Sequence, residues 1–173
     1  MSELIESMRE EQRRYEDGQH RPLKSYAAVM GLYGAAVAGL VALGRVTGRR
    51  LPEAVRPLDI ALMAITTHKL ARMIAKDPVT SPIRAPFTRY KGVSGPSELT
   101  EEVRGTGARK AVGELLTCPF CTAQWVATGY AAGLVFAPRF TRVAGTTMTA
   151  VAAADWLQLV YKRLLIQADE TSG

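Results

Sequence analysis

The fold turns on SYAAVMGLYGAAVAGLVALG, residues 25–44, twenty consecutive residues without a charge. A bilayer's hydrocarbon core takes about 20 apolar residues to cross as a helix. Within the run Gly31, Ala35 and Gly39 recur every four residues, so one helix face is nearly bare backbone and open to close helix packing in lipid. Arg45, Arg49 and Arg50 then close it. A second uncharged run, the 24 residues from Leu115 to Pro138, lies far along the chain. Water-soluble folds of 173 residues rarely carry one such stretch. The near-average composition, 47% hydrophobic and 22% charged, conceals this segregation. It also excludes disorder, a collagen-like fibre and a disulfide-rich secreted scaffold.

Outward from these runs the sequence predicts an all-α integral membrane bundle of three or four spans. Residues 1–24 are polar and mixed in charge. They are expected to form a solvated helix that ends near Gly18, before Pro22, with the following run an uncleaved anchor. A membrane domain over 25–165 holds spans at about 25–44, 58–75, 118–137 and 143–161, followed by a polar tail at 166–173. The second segment admits two readings. Pro57 suits a helix start, but Asp59, His68, Lys69 and Arg72 make the segment either a span with snorkelling cations or a helix lying in the interface. Pro78, Pro82 and Pro86 forbid a continuous helix in the 76–114 loop and favour an extended path, with a short basic helix from Gly107 to Leu116. Gly129 and Gly133 form a GxxxG pair in the third span.

The net charge is +6. Its cations flank the apolar runs, where they meet lipid head groups, and no nucleic-acid-binding signature accompanies them. With four crossings, fourteen Lys and Arg fall on one side (five in the N-terminal tail, seven in the 76–114 loop, two after the last span). Six fall on the other, which puts both termini and the long loop in the cytoplasm. Membrane lipid is the expected partner. A protein partner or second copy would use the small-residue faces at Gly31, Ala35, Gly39, Gly129 and Gly133. No nucleic acid, metal or cofactor is expected.

The sharpest chemical motif is Cys118-Pro119-Phe120-Cys121, which holds both cysteines of the chain. Thr117 is placed to cap the helix that Pro119 starts, so both thiols would sit at its positive end. A redox pair, part of a metal site and a structural helix start all remain open. The redox reading lacks the strand and sheet of a thioredoxin-like fold, and the metal reading lacks ligands, since only His20 and His68 could join. Asp155 needs a countercharge if it lies in lipid, and Lys69 or Arg72 could supply one. Gln158, with Gln124 and Trp125 from the third span, is expected in the same layer. The group reads as a proton relay, to which Asp59 could contribute, or as a polar clamp between helices, which is favoured. Gly105 to Lys110 faintly suggests a phosphate cradle but lacks Walker spacing, so a loop-to-helix start is favoured. Glu114 either modulates the thiol at Cys118 or faces water.

Several runs together resemble one family: HKLARMIAKD at 68–77, VTSPIRAPF at 79–87, RGTG at 104–107, GELLTCPFC at 113–121, and Trp125. In order and spacing they resemble the bacterial membrane-protein family catalogued as domain of unknown function 1360, over about residues 57–162. The resemblance implies a small multi-helix membrane protein, in spore formers sometimes labelled sporulation-related, with no established reaction, substrate or cofactor. Function is thus expected to lie between a non-catalytic scaffold or partner subunit with a basic cytoplasmic face and a thiol-redox protein using Cys118 and Cys121.

Overall fold

The structure, a computed structural model, describes residues 21–172 and, before them, 6–7, 10–12 and 14–15. Those earlier residues are helical; the expected helix end near Gly18, and His20, lie outside the described residues. Helix α1, Leu23–Val46, begins after Pro22. Its end is closed by Gly48, whose φ of 64° lets the Gly48 and Arg49 N–H groups turn back onto the Arg45 and Gly44 carbonyls. Helix α2, Pro57–Lys76, starts on Pro57, where the missing N–H leaves no carbonyl unserved. Helices α5, Pro119–Phe136, and α6, Pro138–Ser172, also begin on prolines.

Between α2 and α5 the chain differs from the expected extended path. A 3₁₀ turn, Pro78–Thr80, leads into the short helix α3, Ser81–Arg84, because each proline sits where a helical first turn tolerates it. An antiparallel hairpin follows, β1 Thr88–Gly95 with β2 Glu98–Val103, and then helix α4, Gly107–Thr117. The fold is therefore mostly helical, 76%, and not all-α. The sheet escaped the sequence reading because irregular pairing between Tyr90 and Gly92 and between Val93 and Gly95 breaks the two-residue alternation that marks a strand. At the other end of the chain, the expected polar tail is a continuation of α6 as far as Ser172.

Helix α2 lies between α5 and α6 and packs along both. Matching positions give the directions. Asp59 meets Arg142 and Lys69 meets Asp155, so α2 and α6 run parallel. Tyr33 meets Thr128, and Gly44 lies beside Phe136, so α1 and α5 also run parallel. The close α5–α6 hairpin depends on two glycines. A Cβ on Gly133 would stand 2.5 Å from Thr141 Oγ1, and one on Gly145 would overlap the Tyr130 hydroxyl. Thr66 of α2 completes this crossing by donating to the Gly145 carbonyl at 3.2 Å. Gly31, Gly39 and Gly129 face open space.

Burial is inverted relative to a water-soluble fold. Among the described residues the buried apolar side chains are Leu62, Ala71, Ala75, Ala111, Tyr130 and Ala152, and as many polar ones are buried: Asp59, Thr66, Arg84, Thr88, Thr122 and Thr141. Meanwhile 26 large hydrophobic residues are exposed, Leu32, Ile60, Val143 and Leu157 among them. Length and apolarity alone qualify one described helix, α1, to cross a membrane, where the sequence reading expected three or four. The reason is compositional: α2 carries Asp59, His68, Lys69 and Arg72, and α5 carries Thr122, Gln124 and Tyr130.

The α5–α6 crossing yields a prediction. Gly145→Ala should overpack it, at about 1–3 kcal/mol, read as a lower thermal midpoint of the purified protein. The Tyr130 hydroxyl is buried with no hydrogen-bond partner. Tyr130→Phe should therefore be tolerated alone and should restore part of the Gly145→Ala loss; a double variant no better than Gly145→Ala would contradict this packing.

Candidate functional site

The connection from α2 to α5 is organised by one guanidinium. Arg84 is wholly buried at the end of α3 and donates to the Ile74 carbonyl at 2.6 Å, to Thr80 Oγ1 at 2.8 Å and to the Asp77 carbonyl at 3.0 Å. It thereby serves the unpaired carbonyls at the end of α2, where a cation also meets the negative end of the helix dipole. Its Nε is paired with Glu101 of β2, whose other oxygen accepts from Thr88 at 3.2 Å. Arg104 and Arg109 donate to the Ala85 and Pro86 carbonyls, at 2.9 Å in each case. The Gly105–Lys110 segment thus holds a backbone corner, with the Arg109 guanidinium already engaged. On the outer hairpin face, Lys91 stands 2.7 Å from Glu102 and holds that carboxyl below its ordinary range.

Beneath the hairpin tip lies a cleft of about 500 Å³ between α2 and α6. Lys69 donates to Asp155 at 2.6 Å across it, while Arg72 pairs with Glu98 at the start of β2. His68 faces Trp156, with ring centroids 6.2 Å apart, and Gln158 lines the same wall. The structure thus brings His68, Arg72, Asp155 and Gln158 together. Gln124 and Trp125 stand elsewhere: α5 turns this side toward α1, where Trp125 packs edge-on against Tyr33 at 5.2 Å. Asp59 is also remote from the cleft. Its carboxylate accepts both forks of Arg56 (3.0 and 3.1 Å) and of Arg142 (2.9 and 3.1 Å). Arg142 precedes Asp155 by a helix rise of about 20 Å. The acids occupy opposite ends of the helix bundle and form no chain of proton acceptors.

The cysteines start α5. Cys118, and not Thr117, is the N-cap: its sulfur accepts from the Cys121 N–H at 3.3 Å. Thr117 still belongs to α4 and donates back to the Gly113 carbonyl at 2.8 Å. Thr122 bridges the break by donating to the Leu115 carbonyl at 2.9 Å. Both thiols are free, Cys118 half-buried and Cys121 exposed. Among the described residues no three His, Cys, Asp or Glu side chains gather as a metal set. Glu114, one turn earlier, is taken up by the Tyr26 hydroxyl at 2.5 Å and by Arg21 at 3.4 Å, which anchors the start of α1 to α4. Arg84 is the residue that sequence reasoning missed. Its signal was the Pro82-Ile83-Arg84-Ala85-Pro86 frame, in which two prolines hold a lone cation in a tight corner.

A mostly helical protein with an apolar helix near its N-terminus, and a hairpin locked to its central helix by a buried arginine, is the class defined here. The chain belongs to the family described as protein of unknown function (DUF1360), which matches residues 62–161. That stretch takes in the arginine junction, the cleft and the cysteine cap, and leaves α1 outside. A similar protein is the sporulation protein YjcA of Bacillus subtilis (strain 168), 36% identical over 73 residues. The match covers 40% of this chain and 62% of that protein. No solved structure matches the chain.

Two predictions follow from this geometry. Arg84→Ala leaves Glu101 buried and unpaired, a change that costs about 3–5 kcal/mol in such sites. It should appear as a large drop in thermal midpoint together with faster proteolysis within the hairpin, and Glu101→Gln, which keeps an acceptor, should be milder. At the cap, Cys118→Ala removes the acceptor for the Cys121 N–H and should cost about 0.5–2 kcal/mol. Cys118→Ser and Cys121→Ser should stay within about 0.5 kcal/mol. A thiol-redox protein would instead lose function equally with either serine.

Proposed function

We propose that this chain is a multi-pass protein of the bacterial cytoplasmic membrane that works as a non-catalytic scaffold or partner subunit. In this reading α1, α2, α5 and α6 cross the bilayer within a membrane domain at 25–165. Both termini, the hairpin and α4 then face the cytoplasm. The observation that carries the reading is the inverted burial: threonines and an aspartate inside, leucines, isoleucines and valines outside. Lipid solvates such an exterior, whereas water penalises it by about 25 cal/mol per Å² of apolar surface. Supporting it, the four long helices alternate in direction, and the fourteen-to-six excess of cations falls on the hairpin side. Several polar contacts inside are of the kind a bundle in lipid requires: Thr66, Thr122 and Thr141 donate to backbone carbonyls, and the buried Asp59 and Arg84 each have a countercharge.

The scaffold role rests on what the charged groups are doing. Lys69, Asp155, Arg72 and Glu98 are paired with one another and hold helix to helix and helix to hairpin. Beyond the cleft α6 runs on to Ser172 with Tyr161, Leu164, Leu165 and Ile166 exposed. That extension, beside the basic loop, is the surface on which a protein or anionic lipid would dock. The Bacillus relative, named a sporulation protein, supports a sporulation-related role for this chain.

Cysteine labelling in intact cells tests the arrangement. In a Cys118→Ser/Cys121→Ser background, Arg50→Cys should react with a membrane-impermeant maleimide, whereas Ser94→Cys and Ser172→Cys should react only after lysis. Equal labelling of all three, or a chain that stays monodisperse without detergent, would overturn the multi-pass reading.

A further inference from the structure

Helices α1 and α5 run side by side and meet at two described levels. At one, Tyr33 bonds Thr128 at 2.8 Å and packs on Trp125; at the other, Gly44 meets the Phe136 ring. Between them Val37, Leu40 and Val41 of α1 look across at Ala131 and Ala132 of α5. Two alanines are too small to fill the space, and a groove of about 320 Å³ is left, open on one side. That volume falls in the range of ligand-sized pockets, about 300–1,000 Å³. Its walls are apolar for most of their length. At the Gly44 end the lining changes abruptly to Arg45 and Arg49. Neither guanidinium has a carboxylate partner among the described residues, unlike Arg56, Arg72, Arg84 and Arg142, all of which are paired.

From this we infer that the α1–α5 groove is a binding site for one anionic phospholipid, with an acyl chain between the helices and the phosphate held by Arg45 and Arg49. The inference rests on α1 and α5 lying in lipid. The groove then runs along the bilayer normal and ends on cations at head-group depth, in the leaflet opposite the hairpin. Direction and charge match an amphiphile with a single polar end. Surface cations that merely snorkel would need no groove. A free phosphate would need no apolar wall, and a neutral chain would need no paired guanidinium groups.

Trp125, one turn from Thr128 at the inner end of the groove, supplies the readout. The full chain carrying Trp156→Phe, so that Trp125 is its only tryptophan, is reconstituted in phosphatidylcholine nanodiscs containing small fractions of phosphatidylglycerol with brominated acyl chains. Quenching should saturate at a mole fraction about thirtyfold lower than for brominated phosphatidylcholine, given roughly 1 kcal/mol for each of the two arginines near an anionic head group. Arg45→Gln/Arg49→Gln should erase that preference. Ala132→Phe, which fills the groove and leaves both arginines, should erase the saturating quench. Should Ala132→Phe leave the preference intact, diffuse attraction at the surface explains the result and the site is wrong. Competition by soluble glycerol phosphate at comparable concentration would show that phosphate alone is read, which also overturns the proposal. A chain that fails to float with the discs sinks the multi-pass reading and this site together. A chain that floats yet shows no preference sinks the site alone.

Discussion

Arg84 has no contact with solvent, so every one of its hydrogen bonds has to be made within the protein, and the way they are made determines how the two halves of the chain are joined. Its donors serve the Ile74 and Asp77 carbonyls at the end of α2, the Thr80 hydroxyl, and Glu101 on the hairpin. A planar guanidinium can address several acceptors at once, which an ammonium on a flexible stem cannot do with the same geometry. The central helix is thereby ended, capped and fastened to the sheet by a single side chain. The chain can then leave the bundle, make a hairpin and an amphipathic helix, and return at Pro119 in register with α2.

The rest of the packing is economical in side-chain volume. Glycines at 133 and 145 let α5 and α6 approach until Thr141 and Tyr130 lie against bare backbone, and Thr66 reaches the carbonyl that this approach leaves accessible. Close contact between small residues, with hydroxyls returned to helix carbonyls, gains dispersion energy and hydrogen bonds without any need to expel water. Under the proposed placement in lipid, that is the form of cohesion still available, because apolar surface gains nothing there by being hidden. The sparse apolar core and the crowded apolar exterior are then two aspects of one solvent condition.

How much of this was legible in the sequence depended on the kind of information each feature needs. The uncharged run at 25–44 became α1 to within two residues, since absence of charge over twenty positions is a one-dimensional property. Helix starts at Pro57 and Pro119 follow equally from local backbone chemistry, whereas the span expected at 143–161 falls five residues late, because 138–142 reads as a turn and Pro138 in fact opens α6. The hairpin did not, because its irregular pairing hides the strand period and its faces are largely exposed. Angular position along a helix was the other failure. Gln124 and Trp125 sit on the α1 side of α5, a rotation that no residue pattern announces when the helix is apolar nearly all round. Lys69 and Arg72 were equally plausible partners for Asp155; the hairpin resolves this, because Glu98 engages Arg72 and leaves Lys69 to Asp155. A buried arginine in a proline-rich connection looks, in sequence, like any solvated loop cation.

The family match, residues 62–161, takes in the arginine junction, the paired cleft and the cysteine cap, all of which join structural pieces to one another. The groove beside α5 is different in origin. One wall belongs to the matched stretch, and the other wall, with both unpaired arginines, comes from α1 and the turn after it. A helix fastened at Tyr26 to Glu114 and at Tyr33 to Thr128, and met again at Gly44 by the Phe136 ring, is held off between these levels at Val37 and Leu40. Close packing throughout would have required larger residues than Ala131 and Ala132. The gap therefore follows from residue choice along an otherwise ordinary helix pair, and the two arginines at its mouth border a lining that holds no acidic residue.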